Sequence, residues 1–384
     1  MRKTSHHVCG VIPPHILAKV AKQAEHEARD DARSTLEQMR ELATERTRTF
    51  FEAAAPAAIA AAPQKKRRSI YDAHHSLRLP GKLVMSEHKP RSADVEVAEA
   101  YDGSGATFDF YAQIFSRNSI DGRGMRVDST VHYGTRFDNA MWNGHQMVYG
   151  DGDGLLFNRF TAALDVIGHE LTHGVTQFTA ALGYEGQTGA LNEHISDAFG
   201  IMVKQFKLNQ TAKESDWLLG AGLFTSRVHG KAVRSMAAPG TAYDDPTLGR
   251  DPQPAHMRHY VDTEDDNGGV HINSGIPNHA FYLAAVALGG RTWEVLGRIW
   301  YRVLTERLTS DADFNDFTRA TVDVAGEMFG NGGRVQQIVA DAWSAVGLRT
   351  RIFDAPRIPI KRSPPVSRAA AVHKLPKWRQ RPAR

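Results

Sequence analysis

Residues 165–177 read DVIGHELTHGVTQ. His169 and His173 stand four apart, and Glu170 directly follows the first. On an α-helix, residues i and i+4 lie one above the other on the same face. The two imidazoles can therefore address a single point about 2 Å from each, as Zn2+ requires. Glu170 sits ~100° further around the helix. It is awkwardly close in sequence for a third ligand but well placed to touch water at a metal. Leu164, Val166, Ile167, Leu171 and Val175 make the rest of this helix apolar. Imidazole and carboxylate groups on such a helix are costly without partners. The plain alternative is a helix that carries His and Glu as ordinary polar groups.

A second stretch bears on the choice. GALNEHISDAFG, residues 189–200, predicts the start of another helix. It offers Glu193 as third ligand, with Asp197 one turn later on the same face. Two histidines, one glutamate and one open position make the catalytic rather than the structural zinc arrangement. Asp197 suits the outer layer, accepting the remaining N–H of a ligating histidine and fixing its tautomer.

The chain has 384 residues, of which 41% are hydrophobic and 23% charged. That length holds two domains plus extra segments, and the composition is that of a globular protein. There is no apolar run near 18 residues, so no membrane span is expected. The start, MRKTSHHVCGVIPPHILAKV, is basic, but His6, His7, Pro13, Pro14 and His15 interrupt the apolar core that a signal peptide needs. This leaves a cytoplasmic location open. Cys9 is the only cysteine, which excludes internal disulfides. The formal charge of +4 is uneven: +10 over residues 349–384, +5 over 1–68 and −11 over 69–348. An acidic body argues against a specific nucleic-acid partner.

Four segments follow from composition and periodicity. Residues 1–68 form a helical leader, helical from Pro13 to about Phe51, then an Ala/Pro linker ending in KKRR (65–68), an exposed point for proteolytic nicking. Residues 69–160 read as strand-rich, with LPGKLVM, ATFDFYAQIF, RVDSTVHYG and HQMVYG as β-prone runs between turns. Residues 161–348 carry helical patterns at 161–181, 191–207, 276–288, 292–309, 313–328 and 333–346. Residues 349–384 are a Pro/Arg-rich tail for which disorder is expected. The fold class is α+β.

HELTHGVTQ, with NEHISDAFG following, resembles the thermolysin family of neutral metalloendopeptidases. DNAMWNGHQMVYGDGDG (138–154), VRSM (233–236) and DNGGVHINSGIPNHAFYL (266–283) agree with it. The resemblance spans roughly residues 70–347 and implies a two-domain fold with a zinc site in the cleft. It implies one catalytic zinc on His169, His173 and Glu193, with Glu170 as general base. His271 and Tyr184 would stabilise the oxyanion, and Asp266 would orient His271. Asn139, Ala140 and Arg234 would hold the substrate backbone. Asp197 and the backbone of Asn192 would orient the zinc histidines. Phe157, Phe160, Val166 and Val233 would line the pocket past the scissile bond, so cleavage on the amino side of Leu or Phe is expected. The family's secreted habit implies an extracellular location, and the enzyme is expected to act as a monomer on polypeptide substrates.

Two departures stand out. Lys204 falls where the family's paired calcium site expects a carboxylate, and Leu218 and Ala221 replace other acids, so that double site is expected to be absent. Asp165 is free to pair with Lys204, and calcium elsewhere stays open. The leader with IPPHIL (12–17) resembles the short pro-regions of the protealysin-like branch. It implies a zymogen whose own pro-region covers the cleft as an intramolecular inhibitor, and the Cys9 thiolate is a candidate block at zinc's open position. The alternative of another class is a catalytically silent, zinc-containing interaction protein whose basic tail binds anionic partners.

Overall fold

Pro13 and Pro14 open the first helix, where a missing N–H and a fixed φ are tolerated. This computed structural model describes residues 10–53 and 65–349, and for 45–53 the backbone alone. Cys9, the linker from 54 to 64 and the tail from 350 onward lie outside the described residues. The expected single leader helix is two: α1 (Pro14–Gln23) and α2 (His26–Ala53), separated where Ala24 turns extended. Ile16, Leu17, Val20 and Ala21 are the buried stripe of α1.

The sheet order is β2-β1-β3-β5-β4. Its strands are β1 (Arg68–Asp72), β2 (Lys82–Ser86), β3 (Val127–Val131), β4 (Ala140–Trp142) and β5 (Met147–Tyr149). β1–β3 and β3–β5 run parallel, while β1–β2 and β4–β5 are antiparallel. The parallel β1–β3 pair demands a crossover, and α3 (Val95–Phe115) is part of it. This corrects the strand expected at ATFDFYAQIF, which lies inside α3. Asp94 caps the helix by accepting from the Val97 N–H, and Ser116 closes it in a left-handed conformation. Val97, Ala100, Ser104, Thr107 and Tyr111 are buried at helical spacing. Gly103 lets α3 press on the next helix, since a Cβ there would stand 2.3 Å from Ile167 Cδ1. Burial on several sides, together with caps, overrode the β-propensity of the aromatics.

The helical half follows: α4 (Leu164–Gln177), α5 (Gly186–Leu208), α6 (Asp266–Asn273), α7 (Gly275–Leu288), α8 (Leu296–Glu306), α9 (Phe314–Phe329) and α10 (Arg334–Ala345). Five of the six expected helical patterns overlap their helices closely at both ends, and α5 begins five residues before its pattern. α6 is an added element. Between α5 and α6 lie two short ribbons, β6 (Leu218–Leu219) with β7 (Arg234–Ser235), and β8 (Asp244–Asp245) with β9 (Gly249–Arg250). Leu171, Val175, Ile195, Phe199, Phe281 and Trp300 belong to one buried core. α4 and α5 touch nearly backbone to backbone at Gly168 and Gly200. A Cβ on Gly200 would stand 2.4 Å from the Asp165 carbonyl oxygen. This contact carries the first histidine helix against the glutamate helix. No helix among the described residues is long and apolar enough to cross a membrane.

Candidate active site

The two histidines of α4 meet Glu193 of α5 in a buried cluster. His169 Nε2 and His173 Nε2 are 3.1 Å apart. The Glu193 oxygens stand 3.5 Å from His169 Nε2 and 3.3 Å from His173 Nε2. A tetrahedral zinc ion with donors ~2.0–2.2 Å away spaces those donors about 3.3–3.5 Å apart. The donor set fits that ion in chemistry, and its 3.1–3.5 Å spacings lie close to that range, with Glu193 Oε2 facing His169 and Oε1 facing His173. The Nδ1 atoms face outward: that of His169 lies 2.8 Å from Asp197 Oδ1, and that of His173 lies 2.9 Å from Asn192 Oδ1 and 3.1 Å from Ser196 Oγ. The partner on Asn192 is thus its side chain rather than its expected backbone, because the residue sits inside α5, where the backbone is committed to the helix.

Glu170 shares the cluster but is held differently. Its Oε2 accepts the Trp142 backbone N–H at 2.9 Å, and its Oε1 stands 3.9 Å from His169 Nε2. The β4 edge strand thus fixes this carboxylate next to the two histidines, close enough that His169, Glu170 and His173 form a metal-capable group.

Tyr184 donates its hydroxyl to Glu193 Oε1 and stands 3.2 Å from His271 Nε2. His271 lies on α6, past a turn in which Asn267, Gly268 and Gly269 all have positive φ (52°, 80° and 75°). Two glycines accept that backbone without a Cβ clash. His271 Nδ1 lies 2.6 Å from Asp266 Oδ1, and Asp266 Oδ2 accepts the His271 N–H at 2.8 Å. Burial pushes the His271 imidazole down, but the Glu193 and Asp266 carboxylates outweigh it and raise its pKa. Burial likewise pushes Glu193 up, yet His271, His173 and His169 hold it well below the usual carboxylate range. Asp197 is held low against burial by Arg234 and His169.

The remaining expected residues gather on one strip of leader chain, residues 10–12. The Val11 N–H donates to Ala140 O at 3.1 Å. Asn139 takes the Ile12 N–H at 3.0 Å and donates to Ile12 O at 2.9 Å. Arg234, bound to Asp197 through Nε and Nη2, donates Nη1 to Val11 O at 3.1 Å. Phe157, Phe160, Val166 and Val233 are buried in the same core as Val11 and Ile12. Three leader side chains were missed in the sequence. Thr35 Oγ1 accepts the Asp138 N–H at 3.0 Å, Met39 Sδ accepts from Asn139 at 3.1 Å, and His15 Nδ1 stands 4.0 Å from Asp266. Their helical periodicity marked a buried face without saying what it faced. Lys204 Nζ lies 2.7 Å from Asp165 and 3.0 Å from Asp216, and donates to Leu218 O at 2.9 Å.

Buried His, His and Glu donors from two adjoining helices, with a separate carboxylate held beside them, define a metal-dependent hydrolase of the HExxH class. Residues 26–177 match the family model "Thermolysin metallopeptidase, catalytic domain", and residues 180–348 match "Thermolysin metallopeptidase, alpha-helical domain". The chain is 51% identical to the "Extracellular metalloprotease" of Pectobacterium carotovorum subsp. carotovorum, over 90% of this chain and 97% of that one. It is 39% identical to "Thermolysin" of Alicyclobacillus acidocaldarius subsp. acidocaldarius, over 72% of this chain and 50% of that one. The solved "Precursor of Protealysin, Metalloproteinase from Serratia proteamaculans" superposes with a TM-score of 0.80 at 50% identity, covering 88% of this chain and 99% of that one. The chain belongs to the thermolysin metallopeptidase family and is a zinc-dependent endopeptidase with a pro-region.

Proposed function

We propose that residues 10–44 hold this zinc endopeptidase shut by occupying the groups that would otherwise grip substrate. The observation that carries this is the Val11–Ile12 backbone, bonded by Asn139, Ala140 and Arg234. A peptide substrate presents the same N–H and C=O groups, so these three residues are the substrate-backbone clamp. Removing the leader frees it.

His169, His173 and Glu193 would hold the metal. Zinc, when bound, supplies Lewis acidity that polarises the scissile carbonyl and lowers the pKa of water beside it. Glu170, fixed by the Trp142 amide, accepts the proton from the attacking water and delivers it to the leaving amine. His271 and Tyr184 donate to the oxyanion as it forms. Such donors are worth about 3–4 kcal/mol each in comparable sites. Asp266 orients the His271 ring, and Asp197 and Asn192 orient the two zinc histidines. Phe157, Phe160, Val166 and Val233 favour a large apolar residue, so cuts fall on the amino side of Leu or Phe. The division at residues 160/161, one zinc per chain, no paired calcium site and a monomeric state complete the proposal. Secretion is proposed too, supported by a relative named as extracellular.

Casein digestion with and without a zinc chelator tests the activity, with mapping of the new N-terminus over time. Glu170→Gln is expected to lower kcat by about 10²–10⁴-fold. Undiminished digestion by that variant would remove Glu170 from the mechanism.

A further inference from the structure

Behind Asp197 runs a chain of buried polar groups that packing does not require. Trp300 on α8 donates its indole N–H to His194 Nε2 at 2.9 Å. His194 Nδ1 lies 2.8 Å from Asn278 Oδ1 on α7. Asn278 Nδ2 donates to Asp197 Oδ2 at 2.8 Å, and Asp197 Oδ1 lies 2.8 Å from His169 Nδ1. All five side chains are buried.

The bonds have a single possible direction. An indole nitrogen only donates, so His194 Nε2 must accept and its proton sits on Nδ1. That proton goes to Asn278 Oδ1, which turns the Asn278 NH2 towards Asp197. The carboxylate then accepts from Asn278 through Oδ2, and its Oδ1, 2.8 Å from His169 Nδ1, favours the His169 proton on that nitrogen. His169 Nε2 is thereby left with its lone pair facing Glu193 and His173. Leaving His194 and Asn278 buried and unpaired would be costly, whereas apolar side chains would fill the volume without that cost. What the polar chain adds is direction.

We propose that Asn278 is a positioning residue for the metal, held by His194 and Trp300 and acting through Asp197 on His169. The inference rests on His169 being a zinc ligand. Three helices thereby brace a ligand on a fourth: α5 through Asp197 and His194, α7 through Asn278 and α8 through Trp300. Losing such outer partners typically lowers metal affinity by about 10–100-fold.

Zinc affinity of the full chain, measured by competition with a chromophoric chelator, tests this with four variants. His169→Ala is expected to abolish tight binding. Asn278→Leu keeps the volume and loses both bonds, and Trp300→Phe keeps the ring and loses the donor. Both are expected to weaken zinc binding by about 10–100-fold. His194→Gln can accept from Trp300 and donate to Asn278, so its affinity is expected to stay near that of the original chain. If Asn278→Leu does not fold, Trp300→Phe carries the test. Unchanged affinity in both, with His169→Ala deficient, would overturn the proposal. So would a loss in His194→Gln as large as in Asn278→Leu, since packing would then be the cause. Retained tight binding in His169→Ala would instead overturn the metal-site reading.

Discussion

Gly10 sits close against the residue that grips the leader backbone. A Cβ there would stand 2.9 Å from Asn139 Oδ1, the atom that accepts the Ile12 N–H. Gly10→Val is therefore expected to loosen the leader and speed its removal, leaving the processed enzyme's activity unchanged. Following processing on a gel checks this, and an unaltered rate would count against the clamp as the inhibitory contact. At this scale the site was largely legible. Spacing along two helices marks His169, Glu170, His173, Glu193 and Asp197 as a chemical set. His15, Thr35 and Met39 were not legible, because their importance lies in what faces them from β4 and α6. The zinc block by Cys9 concerns a residue outside those described.

At the scale of elements, His132 joins the end of β3 to the start of α3. Its Nδ1 lies 2.9 Å from Asp151 and its Nε2 lies 3.1 Å from Asp94, the cap of α3. The bond to Asp151, helped by Asp94, outweighs burial and raises the His132 pKa to about 9 from 6.5. A raised histidine pKa means the folded state holds the proton more tightly than the unfolded one. That stabilisation is full below pH 6.5 and is lost as pH rises through about 9. His132→Asn is expected to lower the melting temperature clearly at pH 6 and much less at pH 10. Equal losses at both pH values would show that the pair is not charged. α3 itself shows where local reading ran out. Its aromatics favour strands, and only contact with α4 and the sheet made the helix the better burial. Six of the seven helices after residue 161 were legible because long, single-period patterns leave little choice, whereas the short α6 was not.

For the whole molecule, the balance is between bound ions and built-in charge. Lys204, half-buried, sets its ammonium against the buried Asp165 and reaches Asp216 and Leu218 O, where the resemblance expects calcium-binding carboxylates. Burial works against the ammonium, but Asp165 and Asp216 raise its pKa, so it stays charged. Lys204→Ala is expected to cost on the order of 3 kcal/mol, since Asp165 would be left buried without its cation. In the unaltered chain, EDTA is expected to lower the melting temperature, with zinc and not calcium restoring it. Recovery with calcium alone would mean that a calcium site stabilises the fold.

Motif residues pointed to the family, and the rise and turn of a helix, which are local properties, put His169 and His173 on one face of α4; that Glu193 and Asp197 meet them depended on the packing of α5 against α4. Assembly alone decided that Val11 and Ile12 are the leader residues bonded to Asn139, Ala140 and Arg234, that α3 is helical and that Trp300 is linked towards His169 through three other residues. Those outcomes depend on groups far apart in the chain meeting in a packed interior, where each buried donor or acceptor must find a partner, and no local pattern records which partner that is.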